Sequence, residues 1–137
     1  MELLIRNDKT IATLQQEFAR YFPYLKLEFF KQEPIYAGEM KLNKAIDSSI
    51  AISELREKDE VNIIEINGKQ KVSSLEKQIL DLAHLHAQVY RKSGQLWLMT
   101  GTTDQWTLDQ QNQVGSEMEV KIIDDIVEDF DQYHEQE

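Results

Sequence analysis

Two spacings of apolar residues alternate along the chain. Leu3–Arg6 is a short apolar run closed by the turn formers Asn7 and Asp8. Thr10 is placed to cap the next segment, where Ile11, Leu14, Phe18, Tyr21 and Phe22 recur at the three-and-four spacing of one helix face. Pro23 marks the end of that helix. Leu25, Leu27 and Phe29 then alternate with Lys26, Glu28 and Phe30, as in a strand buried on one side. The same order returns later. Val61–Ile66 reads as a strand, Asn67-Gly68 as a turn, and Leu75, Ile79, Leu82 and Ala83 as the apolar face of a second helix, with Ser73 and Glu76 at the spacing of a capping box. Leu85, Ala87 and Val89 alternate with His86, Gln88 and Tyr90 as a closing strand. A continuous helix from Ser74 to Lys92 is the rival reading of this last part.

These segments are two copies of one pattern about 60 residues apart, Leu3–Lys31 and Ile63–Arg91, with IATLQQEF over VSSLEKQI and LKLEFFK over LHAQVYR. The reading is a single α+β domain over 1–115: repeat one 3–31, an insert 32–60, repeat two 61–92, and a hairpin strand with a short helix over 93–115. Within the insert, Ile52-Ser-Glu-Leu55 echoes the helix starts and predicts a short extra helix. Lys92-Ser93-Gly94 is turn chemistry, and Gln95–Thr100 predicts the second strand of a hairpin. Two tandem β-α-β units predict a ferredoxin-like sandwich, two helices over one face of an antiparallel sheet with an added edge strand; a β-grasp is the alternative.

The stretch RKSGQLWLMTGTTDQWTLDQQNQVG carries both tryptophans. Its Arg91–Leu98 and Thr100, followed by Thr103-Asp104, Trp106–Leu108 and Gln111-Asn112, resemble the RKSG, WL, T and TD-x-WTL-x-x-QN pattern of a family of small bacterial proteins, and YLKLEFFK resembles the same family. The resemblance spans roughly residues 1–115 and implies no activity, cofactor or catalytic residue, because that family is uncharacterised. Bottom-up, the stretch reads as architecture. Thr107 with Gln110 forms a capping box opening a helix over Leu108–Val114 that Gly115 ends, and Trp106 is a hydrophobic staple ahead of the cap.

Charge changes the picture at one end only. Of a net −10, residues 116–137 hold nine acids and one base, whereas residues 1–115 hold sixteen acids and fourteen bases. The tail is more than a charge run: Ile122, Ile123, Ile126, Val127, Phe130 and Tyr133 fall three and four apart, predicting an acidic amphipathic helix that docks on something. An acidic surface repels phosphate backbones, so nucleic acid is not an expected partner. No stretch approaches the roughly 20 apolar residues of a membrane span, and no secretory signal opens the chain, so no membrane association and a cytoplasmic location are expected. With no cysteine, disulfides, thiolate metal sites and cysteine nucleophiles are excluded.

Candidate chemistry is thin. His84 and His86 could chelate a metal from one strand face but not from a helix, where they would point about 200° apart; no third ligand is set by spacing. Asp104, among Thr100, Thr102 and Thr103, is the other polar candidate, and its residue types are equally those of turns and caps. No catalytic residue, cofactor or metal is expected. The expected function is a non-enzymatic protein interaction or assembly module, self-associating through the open sheet face. Tyr24, Phe30, Tyr90, Trp97 and Met99 would line that face, and Ile122, Ile126 and Phe130 the tail helix. A small-ligand-binding regulatory domain is the alternative, and an enzyme a more distant one.

Overall fold

The computed structural model describes residues 1–32 and 44–119, and the backbone of 36–37 and 40–41. The expected acidic helix, with Ile122, Ile126 and Phe130, lies outside the described residues. The first half runs β1 (Glu2–Arg6), α1 (Ile11–Tyr21), β2 (Leu25–Phe30), the short β3 (Tyr36–Ala37) and β4 (Met40–Lys41), and a 3-10 turn at Ile52–Glu54. The second half runs β5 (Val61–Glu65), α2 (Val72–Ala83), β6 (His86–Ser93), β7 (Leu96–Met99), a 3-10 turn at Gly101–Thr103 and a helix α3 over 108–119. The strand and helix types follow the two apolar rhythms. Helix α2 stops at Ala83 because His84 takes a left-handed conformation, φ 59°, so the continuous-helix reading fails.

Every described ladder is antiparallel, and the fold is α+β. The assembly of strands, however, differs from a ferredoxin-like sheet. There, the outer strands of the two β-α-β units lie at opposite edges of one sheet. Here β1 pairs with β5 in one ladder, and β2, β6 and β7 form another in that order. In both ladders a residue meets its own counterpart. Leu3 faces Ile64, its counterpart in the frame that sets Ile11 over Val72 and one residue on from the pairing with Ile63 read from the sequence, and Glu28 faces Gln88. A local twofold axis therefore passes through the middle of each ladder, relating the halves.

The core obeys the same axis. Leu3, Ile5, Ile11, Leu14, Phe18, Phe22, Leu25, Leu27, Phe29 and Ile52 of the first half are buried, and so are their counterparts Ile64, Ile66, Val72, Leu75, Ile79, Ala83, Leu85, Ala87, Val89 and Leu108. One residue is lost between Ala83 and Leu85 relative to Phe22 and Leu25. The second half thus turns from helix to strand through His84 alone, which accounts for its left-handed backbone.

The correspondence extends into the segment read as an insert. Ile11 N and Ala12 N donate to the Ile50 and Ser48 carbonyls (3.0 and 2.8 Å), as Val72 N and Ser73 N donate to those of Trp106 and Asp104 (3.0 and 2.9 Å). Ile52 N and Ser53 N return bonds to Lys9 and Asn7, as Leu108 N and Asp109 N do to Gln70 and Gly68. Residues 48–53 are therefore the counterpart of 104–109, not an irregular insertion. Each helix N-terminus has its free N–H groups met by carbonyls of the segment that follows its own hairpin. This corrects the capping box read at Ser73 and Glu76: the N-cap of α2 is Lys71, with no side-chain cap. Thr10 does cap α1, accepting from Thr13 N at 3.2 Å.

Arg56 ties the halves together. Its side chain is 4% exposed. Nε donates to Asn7 Oδ1 (2.7 Å), Nη1 to Asn62 Oδ1 (2.6 Å) and to the Ala83 carbonyl at the end of α2 (3.0 Å), and Nη2 to the Glu60 carbonyl (2.7 Å). Asn62 Nδ2 also bonds the Leu82 carbonyl (2.8 Å), and Glu60 Oε1 is 3.4 Å from Nη1. A planar fork of five donors fits this set, and an ammonium does not. Arg56→Ala is expected to cost about 3–5 kcal/mol in denaturant unfolding, because it strands buried acceptors and a carboxylate. Arg56→Lys should recover less than half of that loss.

Candidate functional site

Strand β7 is shorter than β6, and its ladder stops at Tyr90 opposite Met99. Below that point no described strand faces the outer edge of β6. Two side chains take over the work of a neighbouring strand. Thr100 Oγ1, buried, donates to the Val89 carbonyl at 2.7 Å, and Glu76 Oε2 accepts from Val89 N at 2.9 Å. Glu76 reaches this edge from α2, which turns Val72, Leu75, Ile79 and Ala83 into the core and leaves Ser73, Glu76, Lys77 and Leu80 beside the strand.

The result is a cleft of about 300 Å³ lined by Ser73, Glu76, Lys77, Leu80, His86, Ala87, Gln88 and Asp104. Burial pushes the Glu76 carboxyl up to about 7; its bond from Val89 N opposes the shift and the nearby Asp104 carboxylate adds to it. Lys77 does not neutralise the pair: it lies on the surface, 3.9 Å from Asp81. The cleft can thus hold or release a proton near neutrality and offer hydrogen-bonding groups to a small polar ligand. Ser73 Oγ is bonded by Gln105 Nε2 (3.3 Å), not by Glu76 or His86, so no activated nucleophile is assembled among the described residues.

Of the sequence candidates, His86 and Asp104 line this cleft and His84 does not. His84 is exposed, with Nε2 3.8 Å from Glu60 Oε1, and shares with His86 a hollow of about 340 Å³ that Phe30, Lys31, Glu54, Leu55 and Leu85 complete. No three His, Asp or Glu side chains converge to hold a metal among the described residues. A larger hollow, about 690 Å³, lies between the end of β2 and residues 44–55. Asp104 does lie in the cleft, but its backbone is committed to Ser73 N, and its carboxylate meets only Gln105 Nε2 at 3.4 Å. Of the residues expected on the open sheet face, Phe30 is buried, Tyr24, Tyr90 and Met99 are half-buried, and Trp97 is exposed.

The RKSG to QN stretch is indeed a hairpin, a turn and a capped helix. Gly94 supplies the positive φ of the hairpin turn, 63°. Thr107 N bonds Gln110 Oε1 (2.8 Å) and Gln110 N bonds Thr107 Oγ1 (3.1 Å), the reciprocal capping box. Gln111, fully buried, donates to the Thr103 carbonyl and hydroxyl (both 2.8 Å) and accepts from Arg91 Nη1 (2.8 Å), while Asn112 Oδ1 accepts from Tyr24 N (2.9 Å). Two expectations need correction. Gly115 does not end α3, which continues to 119; it lets the helix approach β2, since a Cβ there would sit 2.7 Å from that of Tyr24. Trp106 is 40% exposed, with its ring under the Arg91 guanidinium at 5.9 Å, and not a buried staple.

The sequence reading missed Glu76 as a site residue. The signal lay in the repeat itself: the counterpart of Glu76 is Gln15, whose Nε2 bonds the Leu27 carbonyl of β2 at 2.7 Å. An acid where the other half carries a neutral amide against its strand marks an ionisable group held in a protein interior. In comparison with known proteins, the chain matches no family model, no curated protein and no solved structure.

Two outcomes follow from this geometry. An acid raised from 4.5 to about 7 binds its proton more tightly when folded. The stability it confers is present at low pH and is lost as pH rises through the folded value. Glu76→Gln should flatten unfolding free energy between pH about 4.5 and 7 and stabilise the protein above that window by up to about 3 kcal/mol. A variant with the wild-type slope would exclude Glu76 as the titrating group. In the neighbouring loop, Asp104→Ala should change stability by less than about 0.5 kcal/mol, and Trp106→Ala by about 1–2 kcal/mol, below the 3–5 of a buried tryptophan. Denaturant melts of both variants at one pH measure this directly.

Proposed function

We propose that the chain is a non-enzymatic protein interaction module that assembles with itself, with strand β7 and Trp106 as the contact surface. The observation that carries this reading is exposure at an edge. Leu96 is 69% exposed, Leu98 41% and Trp97 37%, beside Trp106 at 40%. Scattered apolar side chains on a surface are ordinary, but here they are consecutive, large, and on both faces of one strand. Among the described residues β7 pairs only with β6, so its outer backbone edge is open. Its sequence, LWLM, has none of the lysine, proline or inward charge with which edge strands are protected from pairing. The contact surface is narrower than the whole open face and is shifted to the hairpin strand. A protein partner suits it; the acidic balance of the chain disfavours nucleic acid. No helix among the described residues is long and apolar enough to cross a membrane.

A second reading, a regulatory domain that binds a small polar ligand, is favoured by the cleft at Glu76. In that reading, a ligand titrated into the protein moves the amide resonances of Ala87 and Val89 and shifts the Glu76 titration.

Sedimentation velocity over the micromolar range tests the first reading. The intact chain should show a concentration-dependent larger species, and Leu96→Lys/Leu98→Lys should remain a monomer with an unchanged far-ultraviolet dichroism spectrum. A wild-type chain that stays monomeric throughout, or a double variant that associates as well as the parent, overturns it.

A further inference from the structure

We propose that the occupant of the β7 edge is β7 of a second copy, paired antiparallel about a twofold axis normal to the sheet and centred on Trp97. This rests on the self-association reading above and specifies its geometry. The register follows from which backbone groups are free. On β6, Lys92 N is bonded to the Tyr24 carbonyl on the β2 side, while Val89 turns its N–H and C=O to the β7 side. Arg91 and Ser93 share the direction of Val89, and they face Leu98 and Leu96. Leu96 and Leu98 therefore spend their backbone groups on β6, and Trp97 and Met99 direct theirs to the outer edge.

A twofold axis normal to a sheet keeps each face on its own side, so it must set residues of like parity opposite one another. Centred on Trp97, it pairs the Trp97 backbone with Trp97 of the second copy through two hydrogen bonds. It also sets Leu96 against Leu98 of the second copy, twice over, so the four exposed leucines meet in the close non-hydrogen-bonded positions. Centred on Leu98, it would leave Leu96 opposite Thr100. The tryptophans meet on the other face, where charge does not oppose them. Lys26 Nζ, 5.4 Å from the Trp97 ring, is held by Glu28 at 2.7 Å, and Lys92, across from Trp97, lies 3.9 Å from Glu119. Residues 1–115, with sixteen acids and fourteen bases, bring little net charge to the contact. The resulting sheet runs β2-β6-β7 and then the same strands of the second copy in reverse. This is an isologous closure that leaves no free β7 edge. The chain already uses this kind of pairing internally, in joining β2 to β6 and β1 to β5 about Glu28–Gln88 and Leu3–Ile64.

Because the chain has no cysteine, introduced thiols report the register cleanly. Leu96→Cys/Leu98→Cys should yield a covalent dimer under mild oxidation, since opposed Cα atoms about 4.5 Å apart are within disulfide reach. Neither single variant should do so. In the unaltered chain, amide hydrogen exchange at Trp97 should slow by about tenfold or more as protein concentration rises through the association range. Cross-linking by Leu98→Cys alone overturns the Trp97-centred register. If the wild-type chain associates and loses association in Leu96→Lys/Leu98→Lys, yet shows neither the double-variant cross-link nor Trp97 protection, strand pairing is wrong while the contact surface stands. A monomeric wild type overturns both, including one that takes up an added extended peptide at β7.

Discussion

The pairing of each strand with its own counterpart is the constraint on which the rest depends. A β-α-β unit of this length has one helix and two strands, and it cannot bury both strand faces by itself. The two ladders solve this jointly. Leu3 opposite Ile64 and Glu28 opposite Gln88 set both registers, and once they are set, ten apolar residues from each half converge on one interior. A one-residue slip in the β2–β6 ladder would turn either Leu27 outward and Lys26 inward, or Val89 outward and Tyr90 inward. The same likeness shows at the helix starts, where N–H groups of α1 and α2 are completed by carbonyls at Ser48 and Ile50, and at Asp104 and Trp106. The Arg56 network sits where the chain passes from one half to the other and bonds groups from both. It secures the join that the ladders define and does not create it.

Function is best sought where the halves depart from one another, since there symmetry no longer dictates the residue. Gln15 and Glu76 occupy matching places on their helices and reach matching strands, but only the second is ionisable. The first half returns from its hairpin into a single 3-10 turn, Ile52–Glu54, and the second into a helix that runs to 119. Strand β7 adds to β6 and extends the sheet past the cover of the helices, so residues of both parities meet solvent. Each departure adds something a bare repeat lacks: a proton near neutrality, an anchored helix and an apolar edge.

The elements were legible in the sequence because they are local. Apolar spacing distinguishes a helix face from a strand face within one segment, and α1, β2, α2 and the hairpin lie where that spacing puts them. The strand order was not legible, because it depends on which of several apolar strands meet, and all of them read alike. Two β-α-β units are compatible with one four-stranded sheet or with two ladders, and only the registers decide. The same non-locality hid the kinship of residues 48–53 with 104–109, whose shared feature is a set of backbone bonds and not a shared composition. Burial was misjudged where alternation implied cover that the fold does not supply. Leu96 and Leu98 have the right parity for the core, yet no helix among the described residues covers them, and Leu82 and Tyr21 were counted on helix faces but stand at their borders.

The tryptophan-bearing stretch is engaged in architecture rather than in chemistry. Thr103 receives Gln111, Asp104 and Trp106 lend their carbonyls to α2, Thr107 and Gln110 cap α3, and Asn112 holds the backbone of Tyr24 at the start of β2. Each named position thus secures one boundary between α3, α2 and the central ladder, and a conservative change at any of them disturbs packing before it disturbs a reaction. The groups engaged in this way are not available to bind anything else. What the stretch leaves free is the part its own contacts do not use: the exposed Trp106 side chain, and the outer edge and both faces of LWLM, carried out from the body by a hairpin that the remainder of the motif holds in place.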